Sequence, residues 1–418
     1  MGKKHLVINS KKVISLIDWN WTGHHPTYFV EFASALAEIG YDVLPFCPDP
    51  EDFSKRLSII ENLKSQHLGQ IFSAQTLTPT PLGRIRPGRF RPHHQAIKQF
   101  GEIGSRLRAW EKQSQQKIDA VFFACIYDSQ FRYLKYGSPF LGYPWAGLYL
   151  HARSFRMPGT PIPYTGGFPC PERIFTDRRC TGVALLDECA ANPMRNLVGS
   201  GKSVTTFPDF TGVSLPLRKG KITGLCRKIS DFSNQRKIVS LVGHLQRTKG
   251  IIEFTNAAKS PESHKIFFFL GGDINWSEIT SLEKESLKDD WENTPNLFCH
   301  FDRIKDEATL NQVIAISDVI FAAYRNFPNS SNILTKAAYF RKPILVSDGY
   351  LMAERVRKFE LGEVVPEGDQ NAINATLQKM LQPSYYAELE KRAKWDEYNQ
   401  IHSSHKLVKS FKELFSNL

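Results

Sequence analysis

An α/β protein built from two parallel-sheet domains is what this sequence predicts, on three observations. The chain has 418 residues, too long for one ordinary core, since domains usually hold about 100 to 200 residues. Strand-length apolar runs alternate with helix-period segments in both halves, which is the pattern of βαβ units and a parallel sheet. Between the halves, residues 209–236 are rich in Gly, Ser, Lys and Arg without sustained periodicity, and they read as a linker.

The first half opens on an apolar, β-branched run at 13–17, followed by a loop at 19–25 that carries Gly23. Pro26 suits the first turn of a helix. Tyr28, Phe29, Phe32, Leu36 and Ile39 then recur at helical spacing until Gly40 stops the pattern, and a strand-like run follows at 42–46. Buried strands are expected at 120–124, 146–150 and 182–186, with a weaker candidate at 203–207. After the linker, strands are expected at 238–242, 266–270, 296–301, 318–322 and 343–346. Helices at 251–258, 278–288, 307–316, 332–340 and 352–358 fill the gaps. Residues 385–418 are helical and charged, with no sheet of their own, and are expected to pack back across the domains. The expected organisation is therefore a domain at 1–208, a linker at 209–236, a second domain at 237–384 and a terminal helical segment at 385–418.

Composition narrows the classes. Hydrophobic residues make up 41% and charged residues 23%, which predicts a packed globular chain. The apolar runs are far shorter than the roughly 20 residues of a membrane span, and the N-terminus leads into its first strand without room for a signal peptide. Leu6 occupies the place where a myristoylation site needs Ser or Thr. A cytoplasmic location follows as the expectation. The cysteine count of 7 is odd and contains no CxxC pair, so reduced thiols are expected and no metal site. The net charge of +12 fits nucleic acid, an anionic membrane or a phosphorylated substrate. No RNA-binding or helix-turn-helix signature accompanies it, so no nucleic-acid partner is expected. The densest basic stretch, residues 84–94, reads as an exposed Pro/Gly loop. Its second reading is a contact for an acceptor or for the inner membrane surface.

The candidate chemistry lies in loops that follow strands, because strand ends in a doubly wound sheet aim backbone N–H groups and helix N-termini into a crevice where anions bind. The first loop, Gly243-His-Leu-Gln-Arg-Thr-Lys-Gly250, delivers Arg247 and Lys249 to the mouth of a helix. Cations so placed neutralise a leaving diphosphate. The second, Gly271-Gly272-Asp273, lets the chain turn tightly or approach a ligand. The third runs Tyr324-Arg-Asn-Phe-Pro-Asn-Ser-Ser-Asn332, placing Asn329, Ser330, Ser331 and Asn332 at a helix start. They suit a diphosphate cradle and equally serve as ordinary helix caps.

Taken in order, these elements resemble the family-four glycosyltransferases. The resemblance rests on Gly243 to Gly250, Phe269-Leu-Gly-Gly272, Phe301-Asp-Arg303, Ile316-Ser-Asp-Val319, Arg341-Lys-Pro-Ile344 and Pro366-Glu-Gly-Asp369. It extends into the first half through Gly23-His-His25, Leu150-His-Ala152 and Phe207-Pro-Asp209. It implies the GT-B fold, two Rossmann-like domains facing a central cleft, and transfer of a sugar from a nucleotide diphosphate sugar to an acceptor hydroxyl. The acceptor class is left open among saccharides, lipid-linked compounds and small molecules. Retention of anomeric configuration is implied, without a metal or other cofactor.

Residue by residue, the resemblance makes Lys249 the phosphate-binding cation and His151 the strand-end histidine of the catalytic cleft. It places His244 where the family has an arginine. Its two glutamates fall on Pro328 and Lys336, so neither carboxylate is present and altered donor contacts are expected. Gly23, His24, His25 and Asp128 are the further candidates on the acceptor side. Two alternatives stay open: a catalytically degenerate binding or scaffold subunit, motivated by the missing glutamates, and a sugar-nucleotide epimerase, which would need no acceptor. A dehydrogenase is excluded, because neither half carries GxGxxG with a downstream acidic residue.

Overall fold

The computed structural model describes residues 11–61, 68–77, 91–127, 131–156, 171–211, 223–304 and 306–418. The chain divides into two compact units, Met1–Pro208 with Ser404–Leu418, and Asp209–Ser403.

The first unit is built on β1 (Val13–Ile17), β2 (Asp42–Cys47), β3 (Gln75–Thr76), β4 (Ala120–Ile126), β5 (Trp145–Tyr149), β6 (Cys180–Leu185) and β7 (Ser203–Thr206). These pair in parallel in the order β3-β2-β1-β4-β5-β6-β7. Strands β1, β2, β4 and β5 are buried at every position, which is why they read as continuous apolar runs rather than alternating ones. The helix His25–Ile39 starts with Pro26 in its first turn, where no N–H is needed, and ends on Gly40 at φ 109°. The last helix, Ser404–Leu414, packs on this helix and on β7. Phe411 supplies the anchor, with ring centroids 5.5 Å from Phe32, 5.0 Å from Phe122 and 4.7 Å from Phe207. Aromatic pairs of this kind contribute about 0.5–1.5 kcal/mol each beyond area burial.

The second unit holds β8 (Lys237–Val242), β9 (Ile266–Gly271), β10 (Leu297–His300), β11 (Val319–Ala322), β12 (Ile344–Ser347) and β13 (Gly362–Val365), in the parallel order β10-β9-β8-β11-β12-β13. Its core is aromatic, with Phe254 edge-on to Phe268 at 5.4 Å and to Phe321 at 5.1 Å. In both sheets the first strand of the unit lies at the point where strand order reverses, between β1 and β4 and between β8 and β11. Crevices outside the carboxyl ends of strands form at such switch points.

Several elements differ from the sequence expectations. Residues 224–233, read as part of a linker, form a helix capped by Thr223, whose side chain accepts from the Cys226 N–H. Cys226 and Ile229 join the second core and Leu225 is partly buried against it, a short apolar stripe set among the charged and small residues that read as a linker. Residues 84–90 of the basic stretch lie outside the described residues, and residues 91–94 open a helix, Arg91–Ser114, rather than continuing a loop. Pro92 is compatible with a first helical turn. Strands β3 and β13 were not expected. Gly362 in β13 pairs so closely with β12 that an added Cβ would lie 2.0 Å from the Ile344 carbonyl oxygen. No helix among the described residues is long and apolar enough to cross a membrane.

Candidate functional site

In the second unit the loops after β8 and β11 meet at the switch point. Gly243, at φ 123°, follows β8 and donates its N–H to the Gly271 carbonyl at 2.9 Å. Gly272, at φ 134°, passes so near that a Cβ there would sit 1.8 Å from the Gly243 carbonyl oxygen. Only glycine fits this crossing. The Arg325 N–H donates to the Thr248 carbonyl at 2.9 Å, and Gly250, at φ 73°, leaves 2.5 Å between an added Cβ and the Ala323 carbonyl oxygen. The two loops are thus fixed by backbone contacts rather than by side chains alone.

This frame holds Lys249. Its Nζ lies 4.0 Å from the centre of the Tyr324 ring and 4.2 Å from that of Phe327. Burial pushes its pKa down to about 7, while the two ring faces attract the ammonium and oppose part of that fall. Burial raises the Tyr324 hydroxyl pKa, against a hydrogen bond from the Ser331 hydroxyl. Lys249, Tyr324 and Ser331 are therefore brought together at the start of the helix Asn332–Tyr339, where Asn332 is exposed. Such a start presents unpaired N–H groups to an anion.

Other candidates are engaged elsewhere. Arg247 pairs with Glu283, whose carboxyl is held down to about 2 by the Arg247 hydrogen bond first and by Thr280 second. That glutamate also closes a capping box with Thr280 at the start of the helix Ser281–Asn293. His244 shares a 2.7 Å contact between its Nδ1 and the Asp273 carboxylate. Ser330 donates to the Asp209 carboxylate and accepts from Arg355 Nη1 at 2.7 Å. Asp209 and Arg355 are 2% and 1% exposed and pair at 3.3 Å, and the Asp209 N–H donates to His402 Nδ1 at 2.9 Å. Burial first, then the charges of Arg355 and Lys358, hold His402 well below its ordinary pKa. Asn329 stands half-buried on the same loop.

The two positions that lack a glutamate have structural uses. Pro328 is buried. Lys336 is fully buried and donates to the Glu307 carboxylate and, at 2.8 Å, to Asn311 Oδ1.

A second cluster forms in the first unit, again at the switch point. Asp18 follows β1, His24 and His25 open the first helix, Cys125 lies near the end of β4 with Tyr127 just after it, and His151 follows β5. His25 Nδ1 lies 2.8 Å from Asp18 Oδ2, and the Tyr127 hydroxyl lies 2.7 Å from His25 Nε2 and 3.3 Å from His24 Nε2. The His24 ring stacks on His25 at 4.9 Å, and the His151 ring stands edge-on to Tyr127 at 5.4 Å. Burial, then the nearby His25 and His151, bring His24 down to about 3, so it stays neutral. Gly23 supplies the turn at φ 59° with open space around it. Asp128 lies outside the described residues. Asp18, Cys125 and Tyr127 were missed in the sequence, although Asp18 stands one residue past the first apolar run, where a site residue is expected.

Among the described residues, His24, His25 and Cys125 bring potential metal-donor atoms within 4.8 Å of one another. Both His25 nitrogens are already hydrogen-bonded, and burial first, then the charge of Asp18 and a hydrogen bond to it, keep the Cys125 thiol protonated.

Residues 225–402 match the family model described as glycosyl transferases group 1. No curated protein matches the chain in sequence. Among solved structures, the chain is similar to HepE of Anabaena in complex with UDP and glucose, with 14% identity and a TM-score of 0.66 over 98% of this chain and 100% of that one. It is also similar to sucrose-phosphate synthase of Thermosynechococcus elongatus, with 16% identity and a TM-score of 0.65 over 98% and 100%. WaaG, a glycosyltransferase involved in lipopolysaccharide biosynthesis, aligns with 13% identity and a TM-score of 0.64 over 97% and 100%. At these identities the structural likeness carries the fold, and the match over residues 225–402 carries the activity. The chain is a glycosyltransferase of the GT-B fold, with a glycosyl transferases group 1 domain in its second unit.

Proposed function

We propose that this glycosyltransferase takes a sugar from a nucleotide diphosphate sugar and joins it to an acceptor hydroxyl, with retention of configuration and without a metal. The observation that carries the reading is Lys249, a desolvated amine held between Tyr324 and Phe327 beside the helix start at Asn332. An amine whose charge is costly in the free protein gains most from an incoming diphosphate. As the acceptor oxygen bonds to the anomeric carbon, the bond to the diphosphate breaks and its electron pair leaves with the phosphate. Lys249 and the N–H groups at the start of the helix Asn332–Tyr339 stabilise that charge, in the manner of a preorganised electrostatic site. These groups take the place of a divalent cation. HepE and a trehalose-6-phosphate protein of E. coli have been solved with UDP-glucose and UDP-2-fluoro glucose respectively, so UDP-sugars are the first donors to try.

The acceptor is a saccharide, a lipid-linked compound or a small hydroxyl compound. The net charge of +12 favours work at an anionic inner membrane surface, from the cytoplasmic side. A panel of nucleotide sugars, screened by thermal shift and then by mass spectrometry of products, tests the proposal. Binding is expected for one nucleotide series, with sugar transfer to a hydroxyl compound. A second reading, a silent nucleotide-sugar-binding subunit, is favoured by Lys336, which occupies a glutamate position and is turned inward to Glu307 and Asn311. Binding without transfer or hydrolysis across the panel would select it.

A further inference from the structure

Lys336 carries an ammonium with no exposed surface, and a charge so buried is kept only where it is paired. Its Nζ donates to the Glu307 carboxylate and, at 2.8 Å, to Asn311 Oδ1. Burial pulls the Lys336 pKa down, and the charge of Glu307 and the hydrogen bond to it pull it back up. Glu307 stands differently. Its side chain keeps 29% of its surface exposed, and among the described residues Lys336 is the one hydrogen-bond donor to its carboxylate. A carboxylate offers about four acceptor sites, so this one is fixed in place with acceptor capacity still turned to solvent. Helix capping does not use it: Glu307 is the first residue of the helix Glu307–Ile316, and the cap is Asp306, which accepts from the Thr309 N–H at 2.7 Å.

The fold of the second unit sets this carboxylate beside the helix start at Asn332. The helices Glu307–Ile316 and Asn332–Tyr339 follow β10 and β11 of one parallel sheet, so both begin at the carboxyl edge of that sheet, where ligands bind. They also pack on each other. Lys336 lies one turn beyond Asn332, ~6 Å along the helix axis, and helical side chains lean back toward the helix start. Glu307 is thereby clamped on the flank of the diphosphate cradle. A carboxylate in that place repels phosphate, so its partner in a nucleotide is a part that donates hydrogen bonds. The ribose, joined to the diphosphate through its 5′ carbon, carries two adjacent hydroxyls that do so.

We propose that Glu307, held by Lys336, is the ribose-binding carboxylate of the donor site and accepts hydrogen bonds from the 2′- and 3′-hydroxyls. This inference rests on the nucleotide-sugar reading given above and names a contact of that same site. Lys336 is a positioning residue: it touches the carboxylate, not the nucleotide. The carboxylate absent from position 336 is supplied by the neighbouring helix, and the inward turn of Lys336 belongs to a working donor site.

The test measures binding of UDP, ADP and GDP, each beside its 2′-deoxy and 3′-deoxy forms, to the full chain by calorimetry. These probes carry no transferred sugar, so any effect lies on the nucleotide. The wild type is expected to bind at least one ribonucleotide about 10- to 100-fold more tightly than its deoxy forms, as a hydrogen bond to a charged acceptor implies. Glu307→Gln keeps an oxygen for Lys336 and is expected to reduce that ratio about tenfold. Should the single variant fold poorly, the double change of Glu307→Met with Lys336→Met removes both charges together, and its ratio is expected to be about 1, with affinity for the deoxy forms little altered. A wild type that binds ribo and deoxy forms equally overturns the ribose assignment alone. So do variants that keep the full ratio, or that weaken both forms alike, because the ion pair then serves only the packing of the two helices. A wild type that binds none of the three diphosphates overturns the nucleotide-sugar reading, and this inference with it.

Discussion

Binding of a nucleotide diphosphate sugar is expected to weaken as pH rises, and Lys249 sets the size of the effect. In the free protein burial lowers this amine to about 7, whereas the bound diphosphate requires its charged form. About nine-tenths of the amine is protonated at pH 6 and about one-tenth at pH 8, so affinity is expected to fall about tenfold across that interval, or about 1.4 kcal/mol. Attraction from the Tyr324 and Phe327 rings moves the onset upward without changing its sign. The same linkage requires uptake of about 0.9 proton on binding at pH 8 and about 0.1 at pH 6. The diphosphate of a sugar nucleotide does not titrate in this range, so the protein is the source of the effect. Calorimetric titrations in two buffers of different ionisation enthalpy measure both quantities. Lys249→Met is expected to bind weakly at both pH values and to take up no proton. A flat profile in the wild type, or the same slope in Lys249→Met, would refute the assignment.

Three further outcomes follow from the packing of the second unit. Gly272→Ala places a Cβ 1.8 Å from the Gly243 carbonyl oxygen at a backbone φ of 134°, so urea denaturation should show a loss of about 3 kcal/mol; stability equal to wild type would mean that the crossing is loose. Asp209→Ala leaves the buried Arg355 without its carboxylate and is expected to cost about 3–5 kcal/mol, again by urea denaturation, with Ser330→Ala much milder. Lys336→Glu restores a glutamate in the family pattern but sets it against Glu307 in a buried place. It should lower Tm and reduce stability by about 3 kcal/mol or more without raising transfer, whereas Lys336→Met should be the milder change; a stable, more active Lys336→Glu would show that the position faces the donor.

Much of this fold is legible because parallel strands buried on both faces leave continuous apolar runs, as at Val13–Ile17 and Ile266–Gly271. The elements that escaped are those whose signal is not local. The strand Gly362–Val365 is half-exposed and owes its place to pairing with β12, and the helix Gly224–Ser233 is short, with Leu225, Cys226 and Ile229 packing on the core. Among the candidates, motif order pointed to Lys249 and the helix start at Asn332, because loops after β8 and β11 carry unusual glycine, amide and hydroxyl patterns, and the fold brings these loops together. It did not show that Arg247 would turn to Glu283, that Ser330 would be held between Asp209 and Arg355, or that Lys336 would point inward. Those outcomes depend on residues 36, 121, 25 and 25 positions away along the chain. The Asp18–His25–Tyr127 chain was hidden for the same reason: His25 and Asp18 lie 7 residues apart, but Tyr127 is 102 residues from His25.

The central claim is sugar transfer from a nucleotide diphosphate sugar at the Lys249 site. Its most direct test is mass spectrometry of products from the wild type and Lys249→Met, incubated with the donor that binds and a panel of saccharide, lipid-linked and small hydroxyl acceptors. The expected result is an acceptor heavier by one glycosyl unit with release of the nucleotide diphosphate, lost or strongly reduced in Lys249→Met. Binding of the donor with no glycosylated product from any acceptor, or equal product from both proteins, would contradict the account.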